Sequence, residues 1–226
     1  KNGVITVEEA KGFDTTLEVV DGMQIDRGYV SPYFVNNPDK LTCEYEDPVI
    51  LITSKKLSSL KPVVPLLEKV MNSGKPLYII ADEIEGEALQ ALVLNRMKGN
   101  LNICAVNAPF FGSAKIDVLQ DLATLYGAKL IGDSTATTLE DVELEDLGTA
   151  KKVIASRLKT TIVGGSGSPE KIQDRLKSLE QYLNDPTLEK NEKEFTENRL
   201  ARLAGGVAVI KVGGATEIEV RERKDR

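Results

Sequence analysis

The sequence predicts an α/β protein with a parallel βαβ core, helices on the faces of that core and β-rich flanks. In the middle of the chain, short apolar runs alternate with helical patterns, which is typical of a parallel sheet covered by helices. Both ends carry β-prone segments next to glycines. The 226 residues, 41% of them apolar, are enough for one sizeable core or two small ones.

Periodicity gives the order of the elements. The predicted elements of the middle of the chain are strand 48–53, helix 57–72, strand 76–81, helix 85–98, strand 101–107, helix 118–126, strands 152–155 and 160–163, and charged helices 169–183 and 189–203. The β-prone end segments are 4–7, 16–20, 207–212 and 217–220. We expect these end segments to pair with one another.

Glycines mark the domain boundaries. Gly22 and the pair Gly205-Gly206 bracket the central region, and glycine tolerates the backbone angles that tight turns and hinges need. The predicted division is a flanking segment 1–21, a central domain 22–206 and a second flanking segment 207–226.

Composition excludes several classes of function. The net charge of −6 leaves no basic surplus for a nucleic-acid backbone. No apolar run approaches the length of a membrane span, and Lys1-Asn2-Gly3 does not open a signal peptide, so we expect a soluble, unsecreted protein. The chain has no histidine, which excludes a Ser-His-Asp triad and the commonest metal ligand. Cys43 and Cys104 are expected to be reduced thiols.

The first predicted helix carries more apolar surface than one sheet contact needs. Its side chains separate into two stripes, Val63-Leu66-Val70 and Leu60-Val64-Leu67-Met71. Only one of these stripes can face the sheet squarely.

The second predicted helix is apolar on almost every side. One side carries Ile84, Ala88, Ala91 and Leu92, the opposite side carries Leu89, Val93 and Met97, and Leu94 lies on a flank. Such a helix is either buried between two layers or offers one face to a partner. The residue pattern alone favours burial.

Three aromatic residues lie within six positions at 29–34, beside Pro32. They fit either of two roles, because aromatic side chains on a loop often anchor a partner and can equally cap the edge of a sheet. The glycine-rich segment 164–169 lacks a phosphate-binding motif and is explained by Ser168 as a helix N-cap. The acidic cluster 82–87 fits the start of a helix better than a metal site.

Three literal strings carry a family resemblance: GMQIDRGYVSPYF at 22–34, EGEALQALVLN at 85–95 and LAGGVAVIKVG at 203–213. They resemble the group I chaperonins of the GroEL type, and the similarity runs over essentially the whole chain. It implies a GroEL-like apical domain at 22–206, with short β segments of the intermediate domain at both termini.

The resemblance also implies functional residues. In the family, the apical domain captures non-native polypeptide and then the mobile loop of the co-chaperonin in an apolar groove between two helices. The residues carried over to that groove are Tyr29, Tyr33, Phe34, Leu60, Val64, Leu67, Leu89, Val93, Leu94 and Asn95. Gly22 and Gly206 would be the hinge, and Arg27 and Glu217 would form an ion pair between neighbouring subunits of the ring.

The resemblance also has implications for cofactors, enzymatic activity and cellular location. The full-length family hydrolyses ATP with Mg²⁺ in another domain, so this chain is expected to need no cofactor and not to be an enzyme. The location would be cytoplasmic in a bacterium, and the mitochondrial matrix or plastid stroma in a eukaryote. The chain departs from the family at 110–117, where Phe110 stands in place of the usual glycine of a Gly-Phe-Gly-Asp string.

A different class of function stays open from the residues alone. A small-molecule-binding or enzymatic α/β domain would use the crevice at the carboxyl ends of its parallel strands.

Overall fold

The computed structural model describes residues 4–5 and 15–212. Its strands are β1 Val4–Ile5, β2 Thr15–Val20, β3 Gly22–Ile25, β4 Cys43–Glu46, β5 Val49–Thr53, β6 Lys56–Leu57, β7 Leu77–Ala81, β8 Glu83–Ile84, β9 Ile103–Asn107, β10 Leu130–Ile131, β11 Gly148–Ala155, β12 Thr160–Gly165 and β13 Val207–Val212. Its helices are α1 Val64–Ser73, α2 Gly86–Met97, α3 Gly112–Tyr126, α4 Pro169–Leu183 and α5 Lys190–Gly205. Short 3-10 turns lie at Pro32–Phe34, Lys61–Val63, Leu139–Asp141 and Leu144–Asp146.

The central sheet has eight strands, and its main path runs β3-β12-β11-β5-β7-β9. Strands β5, β7 and β9 are parallel, and β10 extends the parallel part by pairing with β5. The predicted parallel βαβ core is therefore confirmed. The other half of the sheet is antiparallel, formed by β11 with β12, β4 and β5 and by β12 with β3. The prediction missed β3 and β4, whose short runs carry polar residues in alternation.

The parallel strands explain the layering. Every residue of β5 and β7 is buried, so both faces of this part of the sheet must be covered. Helices α1 and α2 link β5 to β7 and β7 to β9, and the right-handed rule for such connections places them side by side on one face. Helix α3 returns from β9 to β10 beside β5, which places it on the other face, and α4 and α5 pack against it.

Two helices begin at residues other than those predicted. The first was expected from Leu57, but Leu57 belongs to β6 and the 3-10 turn Lys61–Val63 precedes the start of α1 at Val64. Conversely, α3 begins at Gly112, six residues before the predicted start at 118. The first turn of α3 carries little apolar surface, so periodicity did not reveal it.

The two ends of the chain pair with each other, as expected. Strand β13 lies between β1, to which it is parallel, and β2, to which it is antiparallel. The predicted strand 217–220 lies outside the described residues.

A buried carboxylate holds together the three helices on the α3 face. The Asp121 side chain is 2% exposed and accepts hydrogen bonds from Arg175 Nε at 2.6 Å and from Arg199 Nε at 2.8 Å. A third bond comes from Arg199 Nη2 at 3.0 Å. Burial lowers the pKa of the Arg199 guanidinium, but the contact with Asp121 outweighs burial and the pKa is raised. The cluster therefore joins α3, α4 and α5.

Removing the charge of Asp121 should destabilise the fold. We expect Asp121→Asn to lower the free energy of unfolding by about 3 kcal/mol, because two partly buried guanidinium groups lose their counter-ion. Asp117→Asn is the matched control, since its carboxylate is 48% exposed and lies 3.8 Å from Arg199. It should change stability by less than about 1 kcal/mol. Urea unfolding measures both, and equal effects would contradict the assignment.

Helix α1 contacts the 3-10 turn Leu144–Asp146 and Glu143, the residue that caps this turn. Lys69 Nζ on α1 lies 2.7 Å from Glu143 Oε2. Asp146 accepts a hydrogen bond from the backbone N–H of Glu143 at 3.0 Å and pairs with Lys129 Nζ at 3.1 Å. The Glu143 hydrogen bond, followed by the Lys129 contacts, lowers the pKa of Asp146 below its usual value, although desolvation opposes the shift.

The lowered pKa gives this contact a pH dependence. A group whose pKa falls on folding stabilises the fold above its unfolded pKa, near 4, and this contribution is lost as pH falls through the folded value. We expect Asp146→Ala to cost about 1 kcal/mol at pH 7, as loss of a cap does. The difference from the unsubstituted chain should shrink steadily below about pH 4. Urea unfolding from pH 7 to pH 2.5 measures it, and a constant difference over that range would contradict the role of the carboxylate.

Candidate functional site: the outer face of two adjacent helices

The two apolar stripes of the first predicted helix differ in how far they are exposed to solvent. Val63, Leu66 and Val70 are at most 1% exposed and form the contact with the sheet. In the second stripe, Val64 is 41% and Met71 is 43% exposed, Leu60 is half-buried, and Leu67 is buried at 8%. One edge of the second stripe therefore faces solvent, while Leu67 forms the base beneath it.

Helix α2 also exposes an apolar side. Ala88 and Leu92 are fully buried, whereas Leu94 is 51% and Met97 is 62% exposed. Leu89 and Val93 are half-buried and pack against the core from the outer side. Burial between two layers, which the residue pattern favoured, is therefore wrong for this helix.

The aromatic segment mainly caps the sheet. Phe34 is fully buried, and its 3-10 turn lies against α2 and β9. Tyr29 bridges to Val106 of β9 and donates its hydroxyl hydrogen to the carbonyl oxygen of Leu41 at 2.9 Å. The placement of Phe34 in an exposed groove is thus corrected, because its ring closes the β9 edge instead. Tyr33 is the exposed aromatic residue of this segment, at 61%.

Asn95 has part of its hydrogen-bonding capacity engaged. Its side-chain amide donates to the carbonyl oxygen of Ala91, one turn earlier on α2, at 2.8 Å. The side-chain carbonyl oxygen and the second N–H of the amide are not used by this bond.

The beginnings of the two helices are tied together. Strands β6 and β8, which precede α1 and α2, pair in parallel. The backbone N–H groups of Glu85 and Ala88 donate to the carbonyl oxygens of Leu57 and Ser58 at 3.0 and 3.1 Å. This register fixes the two helices relative to each other.

We name the resulting apolar area the helix-pair surface. Its exposed members are Tyr33, Val64, Met71, Leu94 and Met97, and its half-buried members are Tyr29, Leu60, Leu89, Val93 and Asn95. Phe34 and Leu67 lie beneath it. Met71 and Met97 were not predicted as site residues, although their stripes at helical spacing contained the signal.

Comparison with known proteins bears on this surface. The chain is 52% identical over 228 aligned positions to the protein named Chaperonin GroEL of Neorickettsia sennetsu (strain ATCC VR-367 / Miyayama), and equally to that of Neorickettsia risticii. Each alignment covers 100% of this chain. The resemblance to GroEL-type chaperonins is thereby confirmed. The chain spans 41% of the length of these GroEL relatives, and no family model matches it.

The two glycines predicted as the GroEL hinge lie where the chain passes between its terminal sheet and its central sheet. Gly22 pairs with Val163, and a Cβ atom there would lie 2.5 Å from the carbonyl oxygen of Ile162. Gly206 has φ 69° and ψ −164°, and a Cβ atom would lie 2.4 Å from the carbonyl oxygen of Val20. Only glycine combines such backbone angles with so close an approach. Their role in movement stays a prediction.

The predicted ion pair between subunits also stays a prediction. Arg27 is half-buried beside two cavities, whereas Glu217 lies outside the described residues.

The motifs that suggested other chemistry have local explanations. Ser168 caps α4 by accepting a hydrogen bond from the backbone N–H of Lys171 at 3.4 Å. In the acidic cluster, Asp82 pairs with Lys115 at 2.7 Å, and Glu83 and Glu85 lie within 4 Å of Lys56. Among the helices of the described part of the chain, no helix is long and apolar enough to cross a membrane.

The requirement for glycine at Gly206 can be compared with that at a glycine in the ordinary left-handed region. Gly74, at the end of α1, also has a positive φ of 74°, but a Cβ atom there would meet nothing within 4 Å. We expect Gly74→Ala to cost about 1 to 2 kcal/mol of stability through backbone strain alone. Gly206→Ala should cost at least about 1 kcal/mol more, because its φ and ψ lie in a region essentially confined to glycine and because Val20 must also move. Thermal or urea unfolding measures both variants, and equal losses would show that the contact is unimportant.

Proposed function

We propose that this chain is a polypeptide-binding part of a chaperonin and that the helix-pair surface captures non-native proteins. The observation that carries the proposal is the exposed apolar stripe on two adjacent helices, in a chain 52% identical to GroEL-type chaperonins over its full length. Contiguous apolar area on a folded protein is typical of an interaction site.

The chemistry of the surface suits ligands without a fixed sequence. Val64, Leu94 and the two methionines offer non-directional attraction, worth roughly 25 cal/mol for each Å² of apolar surface removed from water. Methionine side chains are flexible and polarisable, so Met71 and Met97 can adapt to different partners. A surface with few polar groups imposes little hydrogen-bond selection on what it binds.

The geometry of capture can be stated more finely. We propose that an extended or helical segment lies along α1 and α2, flanked by Tyr33, and that the mobile loop of a co-chaperonin uses the same place. The carbonyl oxygen of Asn95 would accept a hydrogen bond from the backbone of the bound segment. Phe34 and Leu67 would support the surface from below rather than touch the ligand.

The wider assembly is also a proposal. We propose that the full protein forms a ring of identical subunits and uses ATP and Mg²⁺, and that this chain binds polypeptide without either. Both GroEL relatives are bacterial, which supports a cytoplasmic chaperone. Capture by the isolated chain should then be unaffected by added ATP and Mg²⁺.

Charge placed on the helix-pair surface should weaken capture. We expect Val64→Glu and Leu94→Glu each to weaken binding of a reduced, permanently unfolded protein at least about tenfold, because a carboxylate resists transfer into an apolar contact. Fluorescence anisotropy of the labelled unfolded protein measures the affinity. Competition by a peptide with the sequence of a co-chaperonin mobile loop tests whether the loop shares the site.

The matched control is Ile116→Glu. Ile116 is 39% exposed, close to the value for Val64, but it lies on α3 on the other face of the sheet. This variant should bind as the unsubstituted chain does. If it loses affinity equally, or if Val64→Glu and Leu94→Glu bind normally while folded, the helix-pair surface is not the site. A large thermal shift with a nucleotide or sugar phosphate, and none with apolar peptides, would favour a small-molecule-binding domain instead.

A further inference from the structure

A cavity of about 280 Å³ lies between β3, α3, α5 and the segment that follows β9. None of its lining residues belongs to the helix-pair surface. Its apolar walls are Met23, Ile25, Pro109, Phe110, Val118 and Phe195. The volume is close to the lower limit of small-molecule pockets, so it suits a ligand of about ten non-hydrogen atoms.

The polar side of the cavity carries an unneutralised positive charge. Arg199 is bound to Asp121, and Arg202 Nη2 lies 3.1 Å from Asp26 Oδ2. A third cation, Arg27, also lines the cavity. Within residues 4–5 and 15–212, no acidic side chain forms an ion pair with Arg27. Three arginines against two aspartates leave one positive charge among the described lining residues, on Arg27.

The wall formed by Phe110 is held in an unusual conformation. Phe110 has φ 67°, which a side chain of this size rarely adopts. Its ring packs edge-to-face on Phe195 of α5, with ring centroids 5.1 Å apart. The Arg199 guanidinium lies 5.7 Å from the centre of the Phe195 ring. Packing thus holds an aromatic side chain over the cavity at a position where glycine would be unstrained.

We propose that this cavity binds a small apolar carboxylate. The hydrocarbon or aromatic body would lie between the aliphatic side chains of β3 and α3 and the Phe110–Phe195 pair. The carboxylate would meet the guanidinium of Arg27, whose two parallel N–H groups match its two oxygen atoms. A neutral or cationic analogue lacks this attraction, so the charge of the ligand, and not only its shape, decides binding.

The cavity lies next to the elements that lead to Gly22 and Gly206, so a bound ligand would hold those elements together. Met23 follows Gly22 directly, and Arg202 lies four residues before Gly206. A ligand between β3 and α5 therefore braces the two elements that lead into the terminal sheet.

The test uses 3-phenylpropionate as the probe and observes the methyl signals of Met23, Ile25 and Val118 by NMR titration of this chain. We expect those signals to shift with a dissociation constant in the millimolar range, as befits a ligand of this size. The neutral amide, 3-phenylpropanamide, should bind at least about tenfold more weakly, because it forms no charge-assisted bond.

Variants locate the interaction. Arg27→Gln should weaken the carboxylate at least about tenfold and leave the amide unchanged. Lys177→Gln, which removes an exposed charge on α4 away from the cavity, should change neither. Phe110→Gly removes the wall without backbone strain and should weaken both ligands.

Three outcomes would overturn the proposal. The first is that the methyl signals do not move at saturating probe or move less than signals elsewhere. The second is equal affinity of acid and amide. The third is that Arg27→Gln, shown to be folded, binds the carboxylate as the unsubstituted chain does.

Discussion

The burial of β5, β7 and β9 on both faces is the constraint on which the rest of the structure depends. Strands with apolar side chains on both sides require a helical layer on each face. A helix that lies on a sheet can give only one stripe to it. On α1 that stripe is Val63, Leu66 and Val70. Any further apolar stripe on α1 or α2 must find another cover or face water, and part of each faces water.

The helices on the two faces of the sheet are held by different kinds of contact. On the α3 face, the charged helices α4 and α5 are attached through Asp121 and its two arginines as well as by apolar contact. Such a cluster demands fixed geometry, since any displacement leaves a buried charge unpaired. On the other face, the exposed apolar side chains of α1 and α2 are aliphatic or methionine, and methionine tolerates changes of partner and position. The α3 face of the sheet is therefore held rigidly, whereas the exposed surface of α1 and α2 on the other face is adaptable.

The sequence predicted the parallel core and the pairing of the ends, because apolar runs and helical periodicity are local signals. In the antiparallel half it predicted β11 and β12 but missed β3 and β4, since β4 alternates polar and apolar residues over only four positions. At the site, the stripe of Val64 and Leu94 was readable from spacing. The burial of Phe34 was not, because an aromatic loop residue reaches solvent or core according to which sheet edge passes beside it. That edge, β9, is fixed only by the tertiary fold.

A small apolar cluster lies where the terminal sheet meets the central sheet. Val20, Val163, Val207 and Val209 form a cluster separate from the main core, at the junction of the terminal and central sheets. Rearranging these four valines would expose far less apolar surface than opening the main core. Gly22 and Gly206, which the resemblance predicts to be a hinge, lie at the same junction. The cavity between β3 and α5 lies beside this junction. A rotation at the junction would therefore also change the shape of the cavity and displace a ligand bound in it. A carboxylate bound to Arg27 would favour whichever orientation keeps the cavity intact, by as much as its affinities for the two orientations differ.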